Sequence, residues 1–345
     1  MRAKAVRQLR QREQAYRVAV QAQAGIQTSR SANTFRAIAP RPWLRLAIPL
    51  ILLACLLPFY WTSFHAPAVG TIHDDGIYLV TAKAMAEGQG YRIASLPDAP
   101  RQTKYPIGFP ALLALAWKAF PKFPENVPLL KLVPVLSFLA WIGLCGFLAR
   151  RWGHANWEAT LWIAFFCAGT RWAIFAGTNL MSDLLFGALV LASLHFLLSV
   201  EESERPVRAA LAAGLLCALA YTVRTSALAL VASGILALVL RQRRRPALAF
   251  AAVSLCVVAA WMLWQGGGPV YSNPISAYYT AQNYADWNLL TGPYQRAEKL
   301  AVLVTNLSYL LTYPAQIVIS KKVNTRTLRE RHLPRCAISL NVRTS

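Results

Sequence analysis

The stretch Ile107-Gly108-Phe109-Pro110-Ala111-Leu112-Leu113-Ala114-Leu115-Ala116-Trp117-Lys118-Ala119-Phe120 decides how this chain is threaded. It is apolar enough to enter a bilayer. Its 14 residues fall short of the roughly 20 that a helical span needs, and it carries Lys118. Around it lie other apolar runs that are candidate spans, at 43–61, 127–149, 157–176, 181–200, 207–223, 225–240, 246–264 and 300–319. Charge settles the doubtful run. With the N-terminus in the cytoplasm and 107–120 not crossing, Arg150-Arg151, Glu201 to Arg208, Arg241 to Arg245 and the tail from Lys321 all fall inside. The loops at 62–126, 177–180 and 265–299 then fall outside. Were 107–120 to cross, the cluster Arg241-Gln242-Arg243-Arg244-Arg245 would be exported, against the positive-inside bias. The stretch is therefore expected to lie along the outer interface.

The expected fold class follows: an all-α polytopic membrane protein with about eight transmembrane helices and short interfacial helices in the first exported loop. Residues 1–42 form a basic cytoplasmic tail and 43–320 the transmembrane domain, with exported loops at 62–126 and 265–299. Residues 321–345 form a second basic tail.

Composition agrees. Apolar residues make up 56% of the chain and charged residues 14%, which excludes an ordinary soluble domain. The net charge of +22 is concentrated in the tails, where residues 1–45 hold ten Lys or Arg against Glu13 alone. This reads as cytoplasmic retention and attraction to anionic membrane lipids. Nucleic acid is not an expected partner, because neither tail shows interleaved aromatics or a module signature. No cleavable signal peptide is expected, since the head is basic and the first apolar run is long. Cys55, Cys145, Cys167, Cys217, Cys256 and Cys336 show no metal-ligand spacing, and disulfides are not expected.

The chemistry-bearing residues stand at the ends of the apolar runs. Only 14 residues are acidic, yet two adjoin in His73-Asp74-Asp75-Gly76-Ile77-Tyr78, shortly after the first span. Asp75 is the expected N-cap of a short helix that Gly88 stops, which puts both carboxylates at its positive end. Capping needs one acid; the other, Asp74, is free to accept a proton from a hydroxyl. In Thr103-Lys104-Tyr105-Pro106, Lys104 either snorkels or neutralises a lipid phosphate. Arg224, at the outer junction of two apolar runs, is costly unless paired or wet. Asp183, in Thr178-Asn179-Leu180-Met181-Ser182-Asp183, either caps its own span or joins the site. Tyr78 and Tyr105, in the same two motifs, are expected substrate contacts. Tyr271, Tyr278, Tyr279, Tyr284, Trp287 and Tyr294 in the second exported loop read as an interface belt or as sugar-stacking rings. Lys131 and Arg171 are further charges within apolar runs. Asp74, Asp183, Lys104 and Arg224 are expected to converge on one outward-facing cavity.

These residues resemble the GT-C class of membrane glycosyltransferases, nearest to the bacterial mannosyltransferase-like and aminoarabinose-transferase-like group that includes the rhizobial lipopolysaccharide transferases. Asp74-Asp75 is similar to the acidic pair of the first exported loop in that class. Lys104-Tyr105-Pro106 with 107–120 is similar to its Lys- and Pro-containing stretch before an amphipathic helix. Asp183 resembles its second acid, and Arg224-Thr225 its basic residue near the fifth span. The resemblance covers residues 43–320 and implies a bacterial inner-membrane enzyme acting on the periplasmic side. It implies a polyprenyl-phosphate sugar as donor, a glycan, lipid or protein acceptor, and inversion at the anomeric centre. It further implies Asp74, beside Asp75, as the catalytic pair, with Lys104 and Arg224 on the departing lipid phosphate. Some members use a divalent cation and others do not, so that cofactor stays open. The class usually continues through more spans and a soluble C-terminal domain, which this sequence does not show. Two other readings are therefore kept. One is a transporter or flippase for a lipid-linked or anionic solute, which would place charges in a mid-membrane cavity. The other is an inactive, truncated transferase.

Overall fold

The computed structural model describes residues 42–66, 69–70, 72–266 and 273–280. The two tails, the expected span at 300–319 and most of the loop 265–299 lie outside the described residues. The chain is an all-α, polytopic membrane protein. Its helices are α1 (Pro42–His65), α2 (His73–Ala86), α3 (Gly108–Ala119), α4 (Val127–Arg151), α5 (Trp157–Ala168), α6 (Arg171–Thr178), α7 (Asp183–Ser199), α8 (Pro206–Val223), α9 (Leu228–Leu240), α10 (Arg244–Gly266) and α11 (Pro274–Thr280). A single 3-10 turn, Thr225–Ala227, joins α8 to α9.

Among the described residues, α1, α4, α8 and α10 are long and apolar enough to cross a membrane. The pair α5–α6 makes a fifth crossing if it is taken as one span, bent by 73°. The remaining apolar helices, α7 and the Thr225–Leu240 segment, are shorter. The expected count of eight is thus not reached within these residues. One reason is local and chemical. The run 157–176 breaks at Gly169-Thr170, where the Gly169 N–H closes α5 on the Phe165 carbonyl at 2.8 Å. The Thr170 hydroxyl then caps α6 by accepting the Ala173 N–H at 3.1 Å. A cap buried in an apolar run does not disturb its hydrophobicity.

Helix α3 has 12 residues, about 18 Å of rise, and is too short to cross. Its Phe109, Leu113, Ala114 and Trp117 are buried, whereas Leu112 and Leu115 are exposed. The buried face packs on Tyr78, Leu79 and Ala82 of α2, Leu130 of α4, Leu180 and Val223. A pair of short helices therefore sits across the ends of the long ones. The α2 helix stops as its sequence predicts: Gly88 adopts φ +78°, which favours glycine, while Gln89 N–H bonds the Ala84 carbonyl at 2.9 Å.

A second core joins α8, α9 and α10 through Ala210, Ala213, Cys217, Val231, Leu238, Ala247 and Phe250. Here α8 offers Ala210, Gly214 and Ala218 four residues apart, a small-residue stripe that lets the α10 backbone approach. The fit is close: a Cβ at Gly214 would stand 3.0 Å from the Phe250 carbonyl oxygen. Between α1, α4 and the bent pair, apolar side chains including Leu57, Tyr60, Phe64, Val135, Phe138 and Ile142 line a space of about 1040 Å³.

Candidate functional site

The site grows from the first turn of α2. Ile72 occupies the N-cap position and has no side chain that can cap. The expectation that Asp75 caps the helix is corrected: Asp75 lies inside the first turn, fully buried. Its two carboxylate oxygens accept backbone N–H groups, from Gly70 at 2.8 Å and from Gly76 at 2.8 Å. It thereby ties the loop that enters α2 to the helix itself. Asp74 faces the other way, with its side chain 28% exposed, and accepts the Tyr105 hydroxyl at 2.6 Å. The His73 ring nitrogen Nδ1 stands 3.7 Å from the same Asp74 oxygen.

Tyr105 is placed by a turn that Gln102 builds. The Gln102 side chain is fully buried, and its Oε1 accepts the backbone N–H of Lys104 at 2.8 Å and of Tyr105 at 3.2 Å. The Tyr91 hydroxyl donates to the carbonyls of Tyr105 and Pro106 at 2.8 and 3.1 Å. The end of α10 holds the same turn from outside: Trp264 Nε1 donates to the Gln102 carbonyl and Gln265 Nε2 to that of Thr103. Lys104 stands beside Tyr105, with Nζ 5.8 Å from the ring centre.

Tyr78 lies one helical turn beyond Asp74 and is buried. Its ring packs edge-on against Tyr105 at 5.4 Å. Its hydroxyl meets that of Ser182 at 3.1 Å. Ser182 also accepts from Arg224 Nε at 3.1 Å, and Arg224 Nη1 forms an ion pair with Asp183 Oδ1 at 2.8 Å. The guanidinium is here because α8 ends at Arg224, in extended backbone (φ −146°), before the 3-10 turn. Close packing fixes the approach: a Cβ on Gly108 would stand 2.5 Å from the Thr222 hydroxyl and 2.8 Å from its carbonyl oxygen. Only a glycine lets the start of α3 lie on the end of α8.

The Tyr78 hydroxyl is within electrostatic reach of Asp74, Arg224 and Asp183. Burial pushes this phenol above its ordinary value. The Ser182 bond and Arg224 pull it down, and the two carboxylates push it further up. It stays protonated at ordinary pH. Burial also raises Tyr91 well above its usual value.

Asp74, Tyr78, Lys104, Tyr105, Asp183 and Arg224 therefore share one end of the bundle. Asp75 is spent on the backbone. Of the second-loop aromatics, Tyr279 stacks on His73 at 4.9 Å. The side chains of Tyr271, Tyr278, Tyr284, Trp287 and Tyr294 fall outside the described residues. Arg171 is exposed at the α5–α6 break, and Lys131 turns to the end of α1. Ser182 and Gln102 are the residues that sequence reasoning missed. Ser182 stands in a quoted motif without a role, and Gln102 carried no signal. One further feature is chemically open: Asp183 Oδ2 and Asn179 Oδ1 are buried, with no hydrogen-bond partner among the described residues. No group of three or more His, Cys, Asp or Glu side chains suited to a metal ion occurs among the described residues, and Asp183 is already paired with Arg224.

No protein-family profile matches the chain, and no curated protein does. Two solved structures align with it, both of ArnT from Cupriavidus metallidurans. The apo crystal structure aligns at 21% identity and TM-score 0.47, over 62% of this chain and 41% of that one. The structure bound to undecaprenyl phosphate aligns at 21% identity and TM-score 0.47, over 66% of this chain and 42% of that one. The chain spans about two fifths of the length of the protein it is similar to.

Proposed function

We propose that this chain is a GT-C-type membrane glycosyltransferase that moves a sugar from a polyprenyl-phosphate donor to an acceptor hydroxyl on the periplasmic face of the inner membrane. The observation that carries the reading is the joining of one half-exposed carboxylate, Asp74, to a hydrogen-bonded cation, Arg224, through the shared tyrosine–serine contacts. An acid that can take a proton and a cation that can hold a phosphate are what the transfer needs.

In this reading Asp74 takes the proton of the acceptor hydroxyl. The acceptor oxygen attacks the anomeric carbon from the face opposite the phosphate. The bond from that carbon to the phosphate oxygen breaks, and the sugar inverts. Polyprenyl phosphate leaves with the bonding pair, its added charge met by Lys104 and Arg224. Tyr105 holds one oxygen of Asp74 and so aims the other. Asp183 orients Arg224, and its open oxygen accepts a sugar hydroxyl. Asp75 serves by holding the loop and not by touching substrate. No step is routed through a metal. The acceptor class, whether glycan, lipid or protein, is for the assay to name.

The test is transfer of radiolabelled sugar in membranes from undecaprenyl-phosphate donors, comparing the chain with its Asp74→Asn variant. Transfer by the unmutated chain, lost in the variant while it remains inserted and still binds undecaprenyl phosphate, is the expected result. Absence of transfer with every donor tried overturns the reading.

A further inference from the structure

Lys131 stands in the second turn of α4 and is 1% exposed, which is rare for a lysine. Its ammonium donates to the Phe64 carbonyl at 2.7 Å and to the Ala66 carbonyl at 2.9 Å. These are carbonyls at the C-terminus of α1, where no helical N–H follows to satisfy them. A cation also suits the negative end of a helix dipole. The charge is costly to place in a membrane bundle, and neither Phe64 nor Ala66 needs a full lysine merely to be solvated.

The position of this contact gives the lysine a second meaning. The segment from Ala66 to Asp74 leads from the first span to the carboxylate at the site. Its far end is already fixed, because Asp75 accepts the Gly70 N–H at 2.8 Å. Val69, between the two anchors, packs on the core around Tyr78 and Leu79. Two buried charges of opposite sign thus grip the same short segment at its two ends. One comes from α4 and the other from α2.

We infer that Lys131 is a positioning residue: it clamps the end of the first span so that, with Asp75, it holds Asp74 against Tyr105 in the geometry for proton transfer. The inference rests on the proposed transferase reading for its chemical purpose, though not for its geometry. Lys131 does not contact the site, so its loss misplaces the base without removing a phosphate ligand.

The experiment has two arms, in a background whose native cysteines are alanine. In the first, Val69→Cys is labelled with a membrane-impermeant maleimide, with and without Lys131→Met. Release of the segment raises the labelling rate about tenfold or more. Lys131→Arg, which keeps the charge and the donors, restores slow labelling. In the second, sugar transfer by Lys131→Met shows kcat lowered about 10- to 100-fold with an unchanged KM for the donor. Lys104→Met, by contrast, raises that KM. Unchanged labelling in an inserted Lys131→Met protein overturns the clamp, as does a raised KM at constant kcat. If no chain transfers sugar but labelling still rises, the clamp stands and the transferase reading falls. Should Lys131→Met fail to insert, Lys131→Gln, which keeps an amide donor, is read in the same way.

Discussion

The two ends of the helix bundle handle charge in opposite ways. At one end, the pairs Arg151–Glu202 and Arg241–Glu201 join helix termini across the surface, and every partner is 45% to 52% exposed. At the other end Arg224 is 33% and Asp183 17% exposed, Lys131 is almost wholly covered, and Asp75 is fully buried. The first group of charges stays in water and contributes little to stability, since exposed pairs are worth about 0–1 kcal/mol. Its work is to decide which way the chain is threaded. The second group gives up hydration and keeps its charge only because hydrogen bonds from other helices replace the water. A fold that carries such cations and acids at one end alone has concentrated its chemistry there.

That contrast can be broken by measurement. The largest effect is expected for Asp74→Asn, which should lower sugar transfer by about 10²- to 10⁴-fold while leaving thermal unfolding in detergent unchanged. Asp75→Asn should do the reverse, shifting unfolding because an amide N–H now faces a backbone N–H, at a cost of about 1–3 kcal/mol. If both variants lose transfer equally at unchanged stability, the division of labour between the two acids is wrong. Next comes Arg224→Met, which strands Asp183 and should cost about 2–3 kcal/mol. Adding Asp183→Leu should recover part of that loss, as a thermal-unfolding series on the double variant would read. Gly108→Ala should cost about 1–3 kcal/mol by pushing α3 off Thr222, and it should weaken undecaprenyl-phosphate binding as Arg224 shifts. The smallest effect belongs to Glu202→Gln at the opposite end, within about 1 kcal/mol and smaller still in high salt. A loss there as large as that of Arg224→Met would erase the distinction between the two ends.

Much of this was legible in the chain because composition fixes where an apolar run ends. Asp74, Lys104, Asp183 and Arg224 each stand at such an end, so a single threading brings all of them to one side. The short run 107–120 could be kept out of the crossing count because length and the Arg241–Arg245 cluster agree. What could not be read depends on contacts without a period. Ser182 meets Tyr78 across 104 residues and Arg224 across 42. The same holds for Asp75. Its place in the first turn looked like a cap, and only the return of Gly70 shows where its oxygens go. The break at Gly169-Thr170 was hidden for a different reason. A threonine cap replaces lost backbone bonds without lowering the apolar character of the run.

The uneven burial of the spans bears on how the chain is made. Almost none of α1 is covered by the rest of the protein, whereas nearly half of α8 is. In a bilayer the first can rest as a single inserted helix as soon as it leaves the ribosome, its apolar side chains satisfied by lipid. The second is rich in alanine and glycine and draws its packing from α7 and from α10, which is synthesised later. Insertion and assembly are therefore separate events for this chain. The guanidinium at the end of α8 settles on Asp183 at the close of assembly, after the helices around it have been delivered to the membrane.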